Sequence, residues 1–505
     1  VPQAAVSTPP LFYRSPWKRF LQYELLAAGM LAFAAVAAVI IANLPASAPA
    51  YHALRTLPIS VNVGPLHVAM PLQQWINDVL MCTFFFLVGL QIKYELIVGR
   101  LKSPRAASLP ILGALGGMLI PIGIYLLINL WYPNGDATER IPGWAIPMST
   151  DIAFVAGCMS LMRRRVPPGL FVFMITLAIV DDLGAVAVIG AMHMESLRMA
   201  WFLPGIALVL VAWQLGRWGI QSALFFLALG GVVWACFILS GVHATVAGVF
   251  MAFAIPMRSQ CSAQTYLDRT ARLLDHFKAA GDPPAPTLVS EHEQVIVRSV
   301  VRECFYVESA LQRILYGLEP FCALLVLPVF AFFNSGLSID WGNFGHLLVQ
   351  PVTIGVFLGL FVGKQAGISL FCWVEVKLRA AQLPEGVRFR QLWALSWLGG
   401  VGFTMALFLS ELAFAGLGPG HLPIQYDYDT APMAHVAAAD HAPETAPHPA
   451  PADAGIVHNE EAKTGIFLSS LISALAGIFM LLLFSPRNME NAEENRILQQ
   501  DDSTP

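Results

Sequence analysis

Long apolar blocks separated by short polar connections run through almost the whole chain. The blocks fall near 20–43, 74–98, 106–130, 145–162, 168–193, 200–215, 221–239, 243–257, 319–336, 350–374, 390–414 and 464–484. A helix needs about 20 apolar residues to cross about 30 Å of hydrocarbon. Lipid offers no partner to an unpaired backbone group, so spans of this kind are helical. The pattern therefore predicts an all-α polytopic membrane protein with twelve transmembrane helices.

Lys and Arg set the orientation, because the cytoplasmic side retains an excess of them. Arg14, Lys18 and Arg19, Arg100 to Arg105, Arg163 to Arg165, Arg217, the 258–313 stretch, Lys377 to Arg390, and Arg487 with Arg496 all fall on one side. The other side holds Arg55, Arg140, Arg198 and Lys463. Both termini are expected in the cytoplasm, which agrees with an even number of spans.

The expected divisions follow from this topology. Residues 1–19 form a cytoplasmic N-terminus and 20–257 hold helices one to eight. A cytoplasmic helical loop occupies 258–318, and helices nine to eleven fill 319–414. A flexible external linker over 415–463 precedes helix twelve at 464–484 and a cytoplasmic tail at 485–505. The N-terminal apolar run lacks a small-residue cleavage motif after it and reads as a retained helix.

Within 45–73, the run from Pro58 to Val68 alternates around Gly64-Pro65 and predicts a small external β-hairpin, available to pair with a second copy. In the 258–318 loop, helical patterns over Gln264 to Ala279 and Glu291 to Leu315 flank Gly281-Asp282-Pro283-Pro284, suggesting a helical hairpin on the membrane surface. The linker carries His421, His435, His441, His448 and His458 in an Ala- and Pro-rich context. A solvated linker is preferred there over a metal site, which needs ordered ligands at defined spacing.

Composition agrees with the pattern: DEKR residues are 12% and AVILMFWYC 56%, against about a quarter charged in a soluble protein. A net charge of -4 with no long basic arm argues against nucleic acid as a partner. The seven cysteines include no CxxC pair, so neither a disulfide framework nor a zinc site is expected. No cofactor is expected.

Ionisable groups inside the spans are few: Asp151, Asp181, Asp182 and Lys364 centrally, with Asp78, Lys93, Glu95 and Glu411 nearer a membrane face. Each central one costs about 2.5 to 3.5 kcal/mol on insertion scales, so a function is the default expectation. Asp181-Asp182 lies about ten residues into its span, near the bilayer midplane at about 1.5 Å per residue. Adjacent helical residues point about 100° apart, so the two carboxylates need not share a partner. Such groups can exchange a proton for a metal ion near neutral pH. Lys364 is the deep basic residue available to one of them, either as counter-ion or as a second proton carrier.

Two spans carry helix breakers at mid-depth: Pro147-Met148-Ser149-Thr150-Asp151 and Gly399-Gly400-Val401-Gly402-Phe403-Thr404. Pro removes a backbone donor and Gly weakens a helix, so both predict mid-membrane broken helices. Asp151 would offset the positive helix ends exposed there, and Lys364 the negative ones. The interruptions are the middle members of the triplets three-four-five and ten-eleven-twelve, which run in opposite directions. That is the inverted-topology repeat of secondary transporters.

With these strings in view, the sequence resembles the NhaA-type sodium/proton antiporters. The matching strings are Trp75-Ile76-Asn77-Asp78, Phe85 to Leu90, Thr150-Asp151-Ile152-Ala153-Phe154, Leu177 to Ala185, Ser240 to Thr245, Leu327 to Phe332, Gly363-Lys364 and Gly402 to Met405. The resemblance implies that Asp182 and Asp181 bind the transported Na+ and exchange protons, with Lys364 salt-bridged to Asp181 in the proton-loaded state and with Thr150 and Asp151 at the helix crossing. It also implies alternating access in a bacterial inner membrane, Na+, Li+ and H+ as transported ions, a role in pH homeostasis, and a homodimer in membrane lipid. Members with pH control carry an acidic and basic cluster at the end of span two. Here the matching positions are Gln91 and Tyr94, beside Lys93 and Glu95, and the loops 259–319 and 416–463 are longer than the family pattern.

The expected function is thus secondary-active antiport, with Na+ or Li+ leaving as protons enter and both competing for the same carboxylates, and not enzymatic catalysis. An intramembrane aspartyl protease draws its acids from separate helices. Here the acids are adjacent on one helix and face a lysine. A channel would need a selectivity ring, and none is evident.

Overall fold

The computed structural model describes residues 16–63, 66–133, 137–162, 165–192, 197–279, 291–339, 342, 344–384, 386–414 and 451–485. Among them, nine helices are long and apolar enough to cross a membrane: Glu24–Asn43, Leu72–Ile97, Ala107–Trp131, Pro168–Gly190, Met199–Arg217, Ala223–Ser240, Ala310–Asn334, Pro351–Lys377 and Gly455–Phe484. Two more pairs of helices qualify only as bent spans, Ala137–Met148 with Ile152–Leu161 and Phe389–Gly400 with Phe403–Phe414, bent by 41° and 43°. Ala244–Ala254 is a shorter apolar helix.

Two boundaries differ from the sequence-based expectation. The helix expected from 319 begins at Ala310, because Ser309 and Gln312 form a reciprocal capping box that starts it nine residues earlier. The charged residues Arg313 and Glu319 obscure that start in the hydropathy pattern. The last helix runs Pro451–Phe484, so residues 451–463 of the expected 415–463 linker are helical. Lys463 pairs with Glu411 and Glu460 accepts from the Ser338 amide, with Glu461 and Lys463 buried. A polar sequence does not prevent a helix when tertiary contacts satisfy it. Residues 415–450, including four of the five linker histidines, lie outside the described residues, as do 1–15 and 486–505.

Strands Pro58–Val63 and Leu66–Pro71 pair antiparallel, with Pro58 opposite Pro71 and Val61 opposite Val68. Two strands alone are marginal in water. Here Trp75 Nε1 donates to the Ile59 carbonyl at 3.0 Å, fixing the ribbon to the start of the Leu72–Ile97 helix. In the loop after Ala254, Ala263–Ala279 and Glu291–Val307 are amphipathic helices, joined by an Arg269–Glu303 ion pair at 3.3 Å.

The residues group into two compact units: Val1–Met81 with Glu95–Val188 and Ala323–Pro505, and Cys82–Tyr94 with Ile189–Cys322, each as far as described. The first holds both bent spans and all the central ionisable residues. Its core includes Leu170, Phe173, Met174 and Leu177 from the Pro168–Met192 helix, packed with Ile368, Cys372, Leu395 and Leu398. The helix Pro104–Trp131 approaches Lys364–Lys377 closely through small residues, as membrane helices commonly do. A Cβ on Gly363 would lie 2.9 Å from Pro121 Cα, and one on Gly359 2.7 Å from Pro147 Cβ. In the second unit, Lys93 donates to the carbonyls of Phe253, at 2.6 Å, and Ile255, satisfying the end of the Ala244–Ala254 helix.

Candidate functional site

Asp181 and Asp182 sit in the middle of the continuous helix Pro168–Met192, which is long and apolar enough to cross a membrane. Lys364 lies just after a π-helical turn, Gly359–Gly363, that interrupts its own helix. Widened turns of this kind re-aim the following side chain and recur at functional sites. Glycines at 359 and 363 let the turn pack against Pro147 and Pro121. The Lys364 ammonium consequently reaches Asp181 Oδ2, and neither side chain is exposed to solvent.

The two bent spans meet beside this pair. After the 3-10 turn Ile141–Met148 the chain is extended at Ser149, and the helix Ile152–Leu161 begins with Asp151 as its N-cap. In the second span the 3-10 turn Leu398–Gly400 leads through Val401 and Gly402 into Phe403–Phe414. The Asp151 amide donates to the Val401 carbonyl at 2.7 Å, joining the two interruptions directly.

Asp151 serves both helix starts at once. Its Oδ1 accepts from the Phe154 amide at 3.0 Å. Its Oδ2 accepts from the Thr404 amide at 3.0 Å and the Thr404 hydroxyl at 2.6 Å. A carboxylate held by amide donors at two helix N-termini opposes both positive dipole ends. Lys364, expected to offset the negative helix ends, makes its hydrogen bond to Asp181. The Thr150 hydroxyl lies 3.0 Å from the Gly399 carbonyl and 2.7 Å from Asp181 Oδ2, while Lys364 bonds Asp181. One hydroxyl carries one proton, so Thr150 donates to only one of these acceptors at a time.

Thus Lys364, Asp181 and Thr150 form one buried hydrogen-bonded set, and Asp151 with Thr404 forms a second beside it across the same two chain interruptions. Asp182 stands apart from both: neither of its carboxylate oxygens has a hydrogen-bond partner among the described residues, and its side chain is fully buried. Asp181 Oδ1 is likewise without one. Carboxylate oxygens left free beside a hydroxyl are oxygen donors of the kind that hard cations take.

Thr404, which the sequence marks only as part of the Gly-rich break, is the partner of Asp151 that sequence reasoning does not single out. Glu411, marked as near a membrane face, is held by Lys463 at 2.7 Å and Arg55 at 4.0 Å. Asp78 is buried in the helix Leu72–Ile97.

The family model for Na+/H+ antiporter 1 matches residues 18–430. A protein named Na(+)/H(+) antiporter NhaA from Oleidesulfovibrio alaskensis is 39% identical over 408 residues, covering 81% of this chain and 88% of its own length. One of the same name from Helicobacter pylori is 37% identical over 397 residues, with 79% and 87% covered. Na(+)/H(+) antiporter NhaA 2 from Syntrophotalea carbinolica is 34% identical over 478 residues, 94% of this chain and 98% of its own. With the matched region taking in both bent spans, the aspartate pair and Lys364, the chain belongs to the Na+/H+ antiporter 1 family.

Proposed function

We propose that this multi-pass membrane protein is a sodium/proton antiporter, a secondary transporter and not an enzyme, that works through ion competition at Asp181 and Asp182. Membership of the Na+/H+ antiporter 1 family carries the exchange activity. The observation that supports the assignment to these residues is the contrast within one dipeptide: Asp181 is engaged by Lys364 and Thr150, whereas Asp182 has no hydrogen-bond partner among the described residues.

Asp182 is the primary cation ligand in this reading and Asp181 the lysine-paired member. A Na+ ion that binds the carboxylates requires them ionised, so protons and Na+ exclude each other at one site. Competition alone couples the two fluxes, provided the site faces one side at a time. Thr150, Asp151 and Thr404 hold the crossing whose half-helices would rock between the two faces. Lys364 neutralises Asp181 while the site is without a cation and gives up that contact as Na+ loads. Li+, of the same charge and similarly hard, is a second substrate.

The finer architecture belongs to the same proposal. Counting both bent pairs and Ala244–Ala254 with the nine long helices gives twelve spans, with inverted triplets around the two interruptions. The charge bias of the loops supports cytoplasmic termini, an inner-membrane setting and an external hairpin at Pro58–Pro71 able to join two copies.

The test is Na+-dependent dissipation of a proton gradient in everted vesicles. Exchange by the wild type that vanishes in Asp182→Asn is expected. Full exchange by that variant would remove Asp182 from the mechanism.

A further inference from the structure

We infer that His458 is a positioning residue that ties the outer half of the first bent span to the last helix only while its imidazole carries both protons. His458 lies near the start of Pro451–Phe484, with its two ring nitrogens directed at carboxylates on different elements. Nδ1 is 3.0 Å from Glu461 Oε2, one turn along the same helix. Nε2 is 3.9 Å from Glu139 Oε2, in the short helix Ala137–Arg140 that leads into the 3-10 turn of the bent span. The side chain is 15% exposed, against 4% for Glu461 and 41% for Glu139.

The chemistry of the ring gives the device its direction. A protonated imidazole donates from Nδ1 to Glu461, and its positive charge also attracts Glu139, which at 3.9 Å lies at ion-pair and not hydrogen-bond distance. A neutral ring has one N–H and one lone pair, and the lone pair faces a carboxylate oxygen unfavourably. The bond that survives is the shorter, more buried one to Glu461. The contact to Glu139, which is the only one of the two that crosses between elements, is released. Histidine is the side chain whose ordinary charge change falls between about pH 5 and 8.

The neighbouring charges have partners of their own. Glu411, on the outer half of the second bent span, is paired with Lys463, and Glu460 Oε2 accepts from the Ser338 amide. Arg140, beside Glu139, reaches the Asn129 carbonyl at 3.2 Å. From Phe403–Phe414 the Phe414 ring lies beside the imidazole, 5.8 Å between centroids. From Pro351–Leu358, Thr353 donates to the Glu461 carbonyl, and His346 on Phe344–Leu348 bonds Gln350. Lys463–Glu411 is therefore a constant tether to the second bent span, and His458–Glu139 a proton-dependent one to the first.

In the antiport reading, on which this rests only for its functional consequence, these groups lie on the external side. Acid outside would then hold the outer half of the first bent span, and alkali would loosen it. The test uses the full-length protein in liposomes, with external pH varied at fixed internal pH. Wild type is compared with His458→Gln, which carries no charge, and Glu139→Gln, which keeps the histidine but removes its cross-element partner. Exchange rates are expected to differ from wild type by up to about fivefold on the acid side, the range of a part-exposed ion pair, and to converge at alkaline pH. Deuterium exchange at residues 137–142 should be faster in both variants than in wild type at the acid end of the external pH series, and equal at its alkaline end. Variants that match wild type in both readouts across that range overturn the inference. Should wild type move no protons with sodium, the antiport reading fails instead, and the deuterium exchange alone decides the tether.

Discussion

Lys364 bonds Asp181 and leaves Asp182, its immediate neighbour in sequence, without a hydrogen-bond partner among the described residues. Two chemically identical side chains thereby acquire different environments from the 100° step of a helix. The first consequence is an asymmetry in mutation. Asp182→Asn should weaken Na+ binding by roughly 10- to 100-fold, the loss of one charge-assisted contact, without lowering thermal stability. Isothermal titration with Na+ and a melting curve on the same preparation separate the two effects.

Removing the lysine should act mainly on stability. Lys364→Met leaves a buried carboxylate facing no cation and should cost about 3 to 5 kcal/mol. The double variant with Asp181→Asn should recover much of that loss, because the orphaned charge is gone. Thermal unfolding of the four forms in one detergent gives the coupling directly. Additive losses would mean that the pair does not act as a unit.

Competition between ions fixes the sign of the pH dependence. Lowering pH on the side where Na+ loads protonates the carboxylates and must raise the apparent Na+ constant, roughly tenfold per pH unit for each proton displaced. Raising pH lowers it until the site is fully ionised. Initial rates over a grid of pH and Na+ concentration measure the slope. A maximum rate that changes while the Na+ constant stays fixed would contradict shared ligands.

At the crossing, Thr404→Val removes the hydroxyl that bonds Asp151 but keeps the backbone amide bond. The expected cost is about 1.5 to 3 kcal/mol, as for a hydrogen bond to a charged group, with Thr404→Ser close to wild type. Transport should slow in Val and recover in Ser. Equal behaviour of the two variants would mean that the hydroxyl bond to Asp151 is not what this position contributes.

Gly363→Ala probes how Lys364 is aimed. The new Cβ would meet Pro121 Cα at 2.9 Å, and a backbone atom cannot rotate away. Overpacking of this kind costs about 1 to 3 kcal/mol. The shift should also displace the lysine, so transport should fall further than for a stability-matched substitution in the Glu291–Val307 helix.

Hydropathy by itself determined the helical membrane class, because lipid allows a spanning backbone few other solutions, and it picked out Asp151, Asp181, Asp182 and Lys364, because charge at that depth is costly enough to stand out. The breakers at Pro147 and Gly399–Gly402 likewise marked both bent spans, since loss of a donor or of helix propensity is a local property. Which groups pair was decided only by tertiary structure. Thr404 became a partner of Asp151 across 253 residues, and Lys364 of Asp181 across 183, through the meeting of separate helices. The same holds for residues 451–463, whose polarity suggests a linker but whose charges find Glu411 and Glu139 in the fold. Local sequence sets which residues are expensive to bury; only the packed chain supplies the partners that make each burial tolerable.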